Sequence, residues 1–487
     1  MNYVTRIAPS PTGYLHIGGI RTALFCYALA RKSKGKFILR IEDTDQSRLV
    51  EDAEDDIVEM LNKYGLNFDE QYKQTERKDI YKEYAEKLIA DGKAYYCFTT
   101  KEEIESAREL AEKSGEQFRF RSPFRDLSLS ESRQRIKKGE EYVVRLKVPL
   151  DEEIHFSDAL QGNMKFNSSE VDDTVLLKSD GLPTYHLAVV VDDHLMGVTH
   201  VLRGVEWIPS IPKHVLIYKA FGWDMPVFVH LPVILDPDGG KLSKRKGTVS
   251  ARDFLLQGYL PEAILNFLML LGWSPPHKRD FGQAEREIFS IKEFVEIFDL
   301  KDLNKSSGVF NREKLIWFNK QYINNLTTDE LIKKYGEWHI KYGGDKNLRA
   351  EISKKGEDYL AEAINLVKER IRLLSEFDEE LRLFYFQPPK ISFSDFKQIK
   401  QLSSEDINNI LSKFVEKLEK QKSLIDWSHQ DWESTVRKIA EDNGFQAGKV
   451  FMTLRLALTS SDKTPPLYEV MHLLGKEESL SRIKKYI

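Results

Sequence analysis

The chain has 487 residues, too many for one hydrophobic core, so several domains are expected. Hydrophobic content of 41% with 31% charged residues fits a soluble globular protein, and a formal charge of −4 does not announce a nucleic-acid binder. No apolar run approaches membrane-spanning length, Met1–Asn2–Tyr3 leads into a strand rather than a signal peptide, and only two cysteines, Cys26 and Cys97, occur far apart. A cytoplasmic chain without a disulfide framework is expected.

In chain order, Tyr3 to Ala8 alternates like a short strand, and Pro9 to Gly19 follows as P-S-P-T-G-Y-L-H-I-G-G. Ile20, Leu24, Tyr27 and Ala28 then recur at helical spacing until Gly35, and K-F-I-L-R-I reads as a second strand ending in Glu42–Asp43–Thr44–Asp45. Strand, loop, helix and strand make the unit of a parallel sheet, with the Gly-rich turn at a helix N-terminus where a phosphate can bind. The turn has neither the G-K-[ST] ending of a P-loop nor G-x-G-x-x-G. Instead His16 precedes two glycines, where an imidazole can donate to a phosphate oxygen and the glycines admit close approach. Taken alone, the same residues fit a helix-capping loop with a surface histidine better, and the choice turns on a second site.

Helices are predicted over Glu51 to Tyr64 and about Arg77 to Ala90, then a strand over Ala94 to Phe98 and a capping box from Thr100 with Glu103. From there to about Thr184, short strands (Tyr142 to Val148, Thr174 to Lys178) alternate with polar turns, and this stretch reads as an insertion. Tyr185 to Asp193, with the apolar run Ala188 to Val191, reads as a sheet strand buried on both faces. Val201 to Gly204, a helix around Ile211 to Phe221, and Val227 to His230 with Val233 to Leu235 lead into D-P-D-G-G and then Lys241–Leu242–Ser243–Lys244–Arg245. Basic loops are usually solvated, but two lysines around a serine can close over a triphosphate and neutralise charge as pyrophosphate leaves. Thr248 to about Gln321 reads as helical with an interruption at Ser274 to His277, and beyond about Tyr322 almost every segment has helical periodicity, as in Leu360 to Leu383 and Ile407 to Leu424. No strand alternation, internal repeat or low-complexity tract stands out in that end.

The two motifs together resemble the paired nucleotide signatures of class I aminoacyl-tRNA synthetases. A-P-S-P-T-G with H-I-G-G-I-R-T-A-L-F, R-I-E-D-T-D, Y-H-L-A-V-V-V-D-D-H-L-M-G-V-T-H-V-L-R-G and K-L-S-K-R-K-G are similar to the bacterial glutamyl-tRNA synthetase family, nearly end to end. The helical C-terminal end agrees, since glutaminyl enzymes and archaeal or eukaryotic glutamyl enzymes carry β-barrels there. The resemblance implies an α/β fold: a Rossmann-like parallel-sheet catalytic domain (1–75 and 185–247) with an α+β acceptor-end-binding insertion (76–184). A connecting helical domain (248–321) and all-α anticodon-binding bundles (322–487) would follow.

The activity implied is glutamate activation by ATP, with Mg2+ on the triphosphate, then transfer to the terminal ribose of tRNA(Glu) by a monomer. Thr12, His16, Gly18 and Gly19 are expected at ATP, with Glu206 and Trp207 nearby, and Lys241, Ser243 and Lys244 closing over the phosphates. His16, Lys241 and Lys244 are the expected catalytic groups. Arg6, Ser10, Glu42, Tyr185 and Arg203 match the amino-acid pocket, with Glu42 on the substrate ammonium and the guanidinium forks on the carboxylates. Arg370, Arg372 and Leu467 are candidates for anticodon reading.

Two departures accompany the match. The family commonly has Asn at one of the positions held here by His186 and Val189, so that contact is lost or passes to His186. Cys97 lies where some members carry a zinc knuckle but has no second Cys or close His, so no zinc is expected. The rival readings are a truncated relative that glutamylates a modified tRNA base, a small nucleotidyltransferase, a catalytically dead RNA-binding paralogue, and a duplicated form that also or instead charges tRNA(Gln). The first two lack this length or the second motif, and intact His16, Lys241 and Lys244 oppose the third.

Overall fold

A computed structural model of the chain describes residues 2–115, 118–242, 249–275 and 286–487. Two compact units are formed, one by Met1–Leu255 with Pro261–Phe318, the other by Leu256–Leu260 with Asn319–Ile487.

The first unit holds strands β1 (Val4–Ile7), β2 (Lys36–Ile41), β3 (Glu70–Lys73), β4 (Ala94–Cys97), β5 (Val143–Leu146), β6 (Glu153–Asp158), β7 (Gly162–Asn167), β8 (Val175–Leu177), β9 (His200–Gly204) and β10 (Val227–Leu231). Seven of them form one sheet in the order β3-β2-β1-β9-β10-β6-β7, and β4-β5-β8 form a second. All neighbours in the large sheet are parallel except β6 and β7, which make an antiparallel hairpin on its edge. That hairpin falls in the stretch read as an insertion, yet it extends the main sheet through β10. Successive strands run outward from β1 in one direction and from β9 in the other. The crevice beyond their carboxyl ends is where such sheets bind ligands.

The first helix, Ile17–Lys32, packs Ile20, Ala23, Leu24 and Ala28 into the core, all with 0% exposure. Gly35 lets the chain return to β2: a Cβ there would sit 1.8 Å from the Tyr3 carbonyl oxygen, which accepts from Lys36 N at 3.0 Å. Only glycine admits that approach.

Two readings of the sequence need correction. Tyr185 to Asp193 is not a strand but the start of a helix, Tyr185–Leu195. Every side chain from Leu187 to Asp193 is buried, and a helix covered on all sides gives the same unbroken apolar run as a doubly covered strand. Residues 303–311 are not helical either. Leu235 takes up their backbone groups, donating its N–H to Gly308 O and accepting from Phe310 N, each at 2.9 Å.

The second unit is helical, with no strand among its described residues. Capping boxes start the helices Thr328–Tyr342 (Thr327 with Glu330) and Ser404–Lys420 (Ser403 with Asp406). Phe414, Trp427, Trp432, Val436, Leu454 and Met471 share one core there. The periodicity read continuously over Leu360 to Leu383 is broken into Glu357–Val367, a 3-10 turn at Lys368–Arg370, and Glu376–Tyr385. Leu374 N instead donates to Gly258 O at 2.9 Å, which pulls the chain out of helical geometry. Among the described residues, no helix is long and apolar enough to cross a membrane.

Candidate active site

A cavity of about 580 Å³ opens at the carboxyl ends of β1, β2 and β9. Arg6 and Ser10 reach it from β1 and the turn that follows, Glu42 from the end of β2, Arg203 from β9, and Tyr185 from the first turn of its helix. Thr12, His16, Gly18 and Gly19 line the same cavity, as do Glu206, Trp207 and Lys241. Ser243, Lys244 and Arg245 lie outside the described residues.

Around the end of the cavity lined by Arg6, Glu42 and Arg203, three buried guanidinium groups are treated differently. Arg6 Nε donates to Asp193 Oδ1 at 3.1 Å, and Arg40 Nη1 donates to the same oxygen at 2.7 Å. Arg40 also holds Glu42 Oε1 through Nε (3.2 Å) and Nη2 (3.0 Å). Burial works against the Asp193 carboxylate, but Arg6 and Arg40 outweigh it and hold its pKa below the usual range. Burial pushes Glu42 up despite Arg40, so a second cation beside it is favoured.

Among the described residues, no carboxylate is hydrogen-bonded to Arg203. Nε donates to His230 Nε2 at 3.0 Å, and Nη1 donates to the Tyr185 hydroxyl at 3.0 Å and faces His214 Nδ1 at 3.4 Å. Its Nη2 is buried with no hydrogen-bond partner. Burial lowers its pKa, and Tyr185 is pushed up to about 12 by burial, so the neighbouring hydroxyl stays neutral. The result is a buried cation held by neutral groups, a place that favours an anion.

At the other end, His16 caps the first helix: its Nδ1 accepts from Gly18 N at 3.0 Å and Gly19 N at 3.3 Å. The ring proton is thereby assigned to Nε2. A Cβ on Gly18 would stand 2.9 Å from His16 Cε1, and one on Gly19 would stand 2.8 Å from Leu15 Cδ1. The glycines therefore make room for the capping imidazole and its neighbour, in addition to any approach of phosphate. Lys241 Nζ donates to Glu206 Oε1 at 3.0 Å across the mouth, and the Tyr185 and Trp207 rings lie 4.6 Å apart.

The two signature motifs are stitched together through backbone. Ile17 N donates to Val249 O at 2.8 Å, Ala251 N donates to Leu15 O at 2.9 Å, and Lys241 bridges Leu235. The chain after the lysine segment is thus fixed beside the start of the first helix, and the chain before it is paired with Leu235.

His186 is not among the residues that line this cavity. It lines a second cavity of about 400 Å³ with Phe118, Phe120, Arg145 and Lys213, and its Nδ1 lies 3.2 Å from His214 Nε2. Val189 is core. In the helical unit, Arg370 Nε donates to Glu380 Oε2 at 3.1 Å and Arg372 Nη2 donates to Glu376 Oε1 at 2.8 Å. Leu467, 4% exposed, packs in the core and presents no surface for a base. Cys97 packs with Tyr95 and Phe120, and no group of three or more His, Cys, Asp or Glu poised for a metal occurs among the described residues.

Sequence reasoning did not single out Arg40, Asp158, Asp193, His214 or His230. The available signal was a charged or imidazole side chain at an inward position of a buried element, as in V-F-V-H-L and V-V-D-D.

Residues 2–317 match the family described as tRNA synthetases class I (E and Q), catalytic domain, and residues 330–487 match the anticodon binding domain family. A glutamate–tRNA ligase from Prosthecochloris aestuarii is 39% identical over 499 residues, covering 99% of this chain and 97% of that protein. One from Chlorobaculum parvum is 40% identical over 501 residues, with 99% and 97% covered. The crystal structure of a glutamate tRNA ligase from Elizabethkingia meningosepticum in complex with its amino acid superposes with a TM-score of 0.86 at 35% identity, covering 100% of this chain and 99% of that one.

Proposed function

The chain belongs to the class I tRNA synthetases for glutamate and glutamine, and on that premise we propose how its cavity carries out the glutamate–tRNA ligase reaction. The glutamate α-carboxylate attacks the α-phosphorus of ATP and pyrophosphate leaves. The terminal ribose hydroxyl of tRNA then attacks the mixed anhydride and AMP leaves. Neither step needs a protein nucleophile, so catalysis rests on positioning and on stabilising developing charge.

The observation that carries the reading is Arg203. A buried guanidinium held by Tyr185, His230 and His214, with Nη2 unsatisfied, suits the anionic side chain of glutamate and disfavours the neutral amide of glutamine. Arg6 shares its charge with Asp193 and would take a more modest part in the same pocket. Glu42, raised by burial, would hold the substrate ammonium, with Ser10 and Tyr185 completing the wall.

Thr12, Gly18 and Gly19 would face ATP, with Trp207 beside the nucleotide. His16, with its proton assigned to Nε2, would donate to a phosphate oxygen. Lys241 would exchange Glu206 for phosphate, with Ser243 and Lys244 completing the closure. The carboxylates of the cavity, Glu42 and Glu206, are each engaged by a cation, so they do not make a protein cage for a divalent ion. Magnesium, which this class generally uses with ATP, would ride on phosphate oxygens and water. The small sheet and the hairpin would receive the acceptor end of tRNA in the cytoplasm, and Arg370 with Arg372 would lie near the anticodon.

Charging assays with glutamate and glutamine, each on tRNA(Glu) and tRNA(Gln), test this reading. Glutamate joined to tRNA(Glu), with glutamine rejected, is expected. Arg203→Ala should raise KM for glutamate far more than KM for ATP. Equal use of both amino acids, or an unaffected glutamate KM, would remove Arg203 from the pocket.

A further inference from the structure

Arg203 is held from behind by a line of groups that never reaches the cavity. Its Nε–H points at His230 Nε2 (3.0 Å), and His230 Nδ1 lies 2.6 Å from Asp158 Oδ2. Both Asp158 and His230 have side chains with 0% exposure. Asp158 Oδ1 is itself committed, accepting from Leu160 N at 2.9 Å and Gln161 N at 2.7 Å. A further bond, from Gln161 Nε2 to His230 O at 2.7 Å, ties the hairpin turn to β10.

The donor and acceptor roles along this line are forced. A guanidinium nitrogen can only donate, so His230 Nε2 must accept and its ring proton must sit on Nδ1. Asp158 accepts that proton's hydrogen bond and stabilises this tautomer alone. His230 therefore presents a lone pair to Arg203 and no negative charge. A carboxylate in its place would orient Arg203 equally well but would neutralise it, as Asp193 partly does for Arg6 and Arg40.

We propose that His230, fixed in its acceptor tautomer by Asp158, is a specificity-determining positioning residue: it aims the Arg203 guanidinium at the substrate while leaving its charge unneutralised. The proposal rests on Arg203 being the receptor for the glutamate side chain. It makes the hairpin β6–β7, which does not line the cavity, a support of the glutamate pocket from behind.

Asp158→Asn is the test that spares the shape. The amide oxygen takes the backbone N–H groups of Leu160 and Gln161, leaving the NH2 against His230 Nδ1. The ring proton then moves to Nε2 and faces the Arg203 Nε–H, donor against donor. In aminoacylation with saturating tRNA, KM for glutamate is expected to rise ~10- to 100-fold, the scale of a hydrogen bond to a charged group, with KM for ATP within about twofold. His230→Leu should match it, and His230→Gln, which restores a neutral acceptor, should recover most of the loss. Thermal unfolding of each variant checks that the fold survives.

An unchanged glutamate KM in Asp158→Asn, parallel rises for glutamate and ATP, or failure of His230→Gln to outperform His230→Leu would each overturn the proposal. Arg203→Ala in the same series separates the two claims. If it leaves glutamate KM unchanged, the pocket reading itself fails; if it alone raises KM, only the positioning role fails.

Discussion

The imidazole Nδ1 of His16 accepts a hydrogen bond from the backbone N–H of Gly18 at 3.0 Å, so one side chain both caps the first helix and lines the cavity. Capping through Nδ1 is compatible with the phosphate contact proposed for H-I-G-G. Using Nδ1 as acceptor is what assigns the proton to Nε2.

These two roles separate by substitution. His16→Asn keeps a good cap and should hold the thermal midpoint near wild type while turnover falls ~100-fold, the range of a lost charge-stabilising donor. His16→Ala should lose about 1 kcal/mol of stability in addition. Gly18→Ala, whose Cβ would stand 2.9 Å from His16 Cε1, should lower turnover while the fold survives. Steady-state kinetics beside thermal melts decides. Full activity in Gly18→Ala would mean that the imidazole position is not critical.

Asp193 is the shared anion of Arg6 and Arg40, both nearly inaccessible to water. Asp193→Asn should cost about 3–5 kcal/mol, the usual penalty for breaking a buried ion pair from one side. Urea unfolding followed by tryptophan fluorescence measures it. A loss under about 1 kcal/mol would show that Glu42 and Asp192, which also face Arg40, compensate for the missing charge.

Much of this arrangement was legible in the sequence because the chemistry is local. Pro9 to Gly19 fixes the turn between the first strand and the first helix, and most of its residues line the cavity. What was not legible depends on tertiary pairing. The helix Tyr185–Leu195 carries an apolar run that a strand would share, and only its cover on all sides distinguishes them. β3, E-Q-Y-K, is a polar edge strand with little pattern of its own. β6 does alternate, exposing Glu153, His155 and Ser157 while burying Ile154, Phe156 and Asp158. Asp158 at an inward position was the clue to a buried polar partner, and nothing in the order of residues says that this partner is His230 of β10.

The buried imidazoles give a pH dependence of definite sign. His186 is pushed down to about 3, chiefly by burial and then by Lys213 and Arg203, and His214 is held well below its ordinary value by burial, Arg203 and His186. Both are neutral when folded, whereas in the unfolded chain they take up protons below about pH 6.5. Their contribution is present above that pH and lost as pH falls toward 3, with each histidine steepening the fall by about 1.4 kcal/mol per pH unit. His186→Gln should therefore flatten the decline in urea midpoint between pH 6.5 and 4. An identical slope in the variant would mean that His186 is protonated in the folded state.

Lys241 and Lys244 should differ in what their loss does. Lys241 is half-exposed and rests on Glu206, an ion pair that contributes little by itself and is screened by salt. Lys244 lies outside the described residues, but the chain on either side is fixed: Lys241 bridges Leu235, and Ser250 bridges His16. The role proposed for Lys244 is to meet charge that appears only as pyrophosphate departs. Such a contact acts on the transition state more than on bound ATP. Lys244→Ala is expected to lower kcat ~100-fold or more with KM for ATP changed less than about threefold, and Lys241→Ala to have the smaller effect on kcat. Single-turnover formation of the adenylate, with ATP varied, separates binding from chemistry. A rise in KM with kcat intact would make Lys244 a ground-state phosphate contact instead.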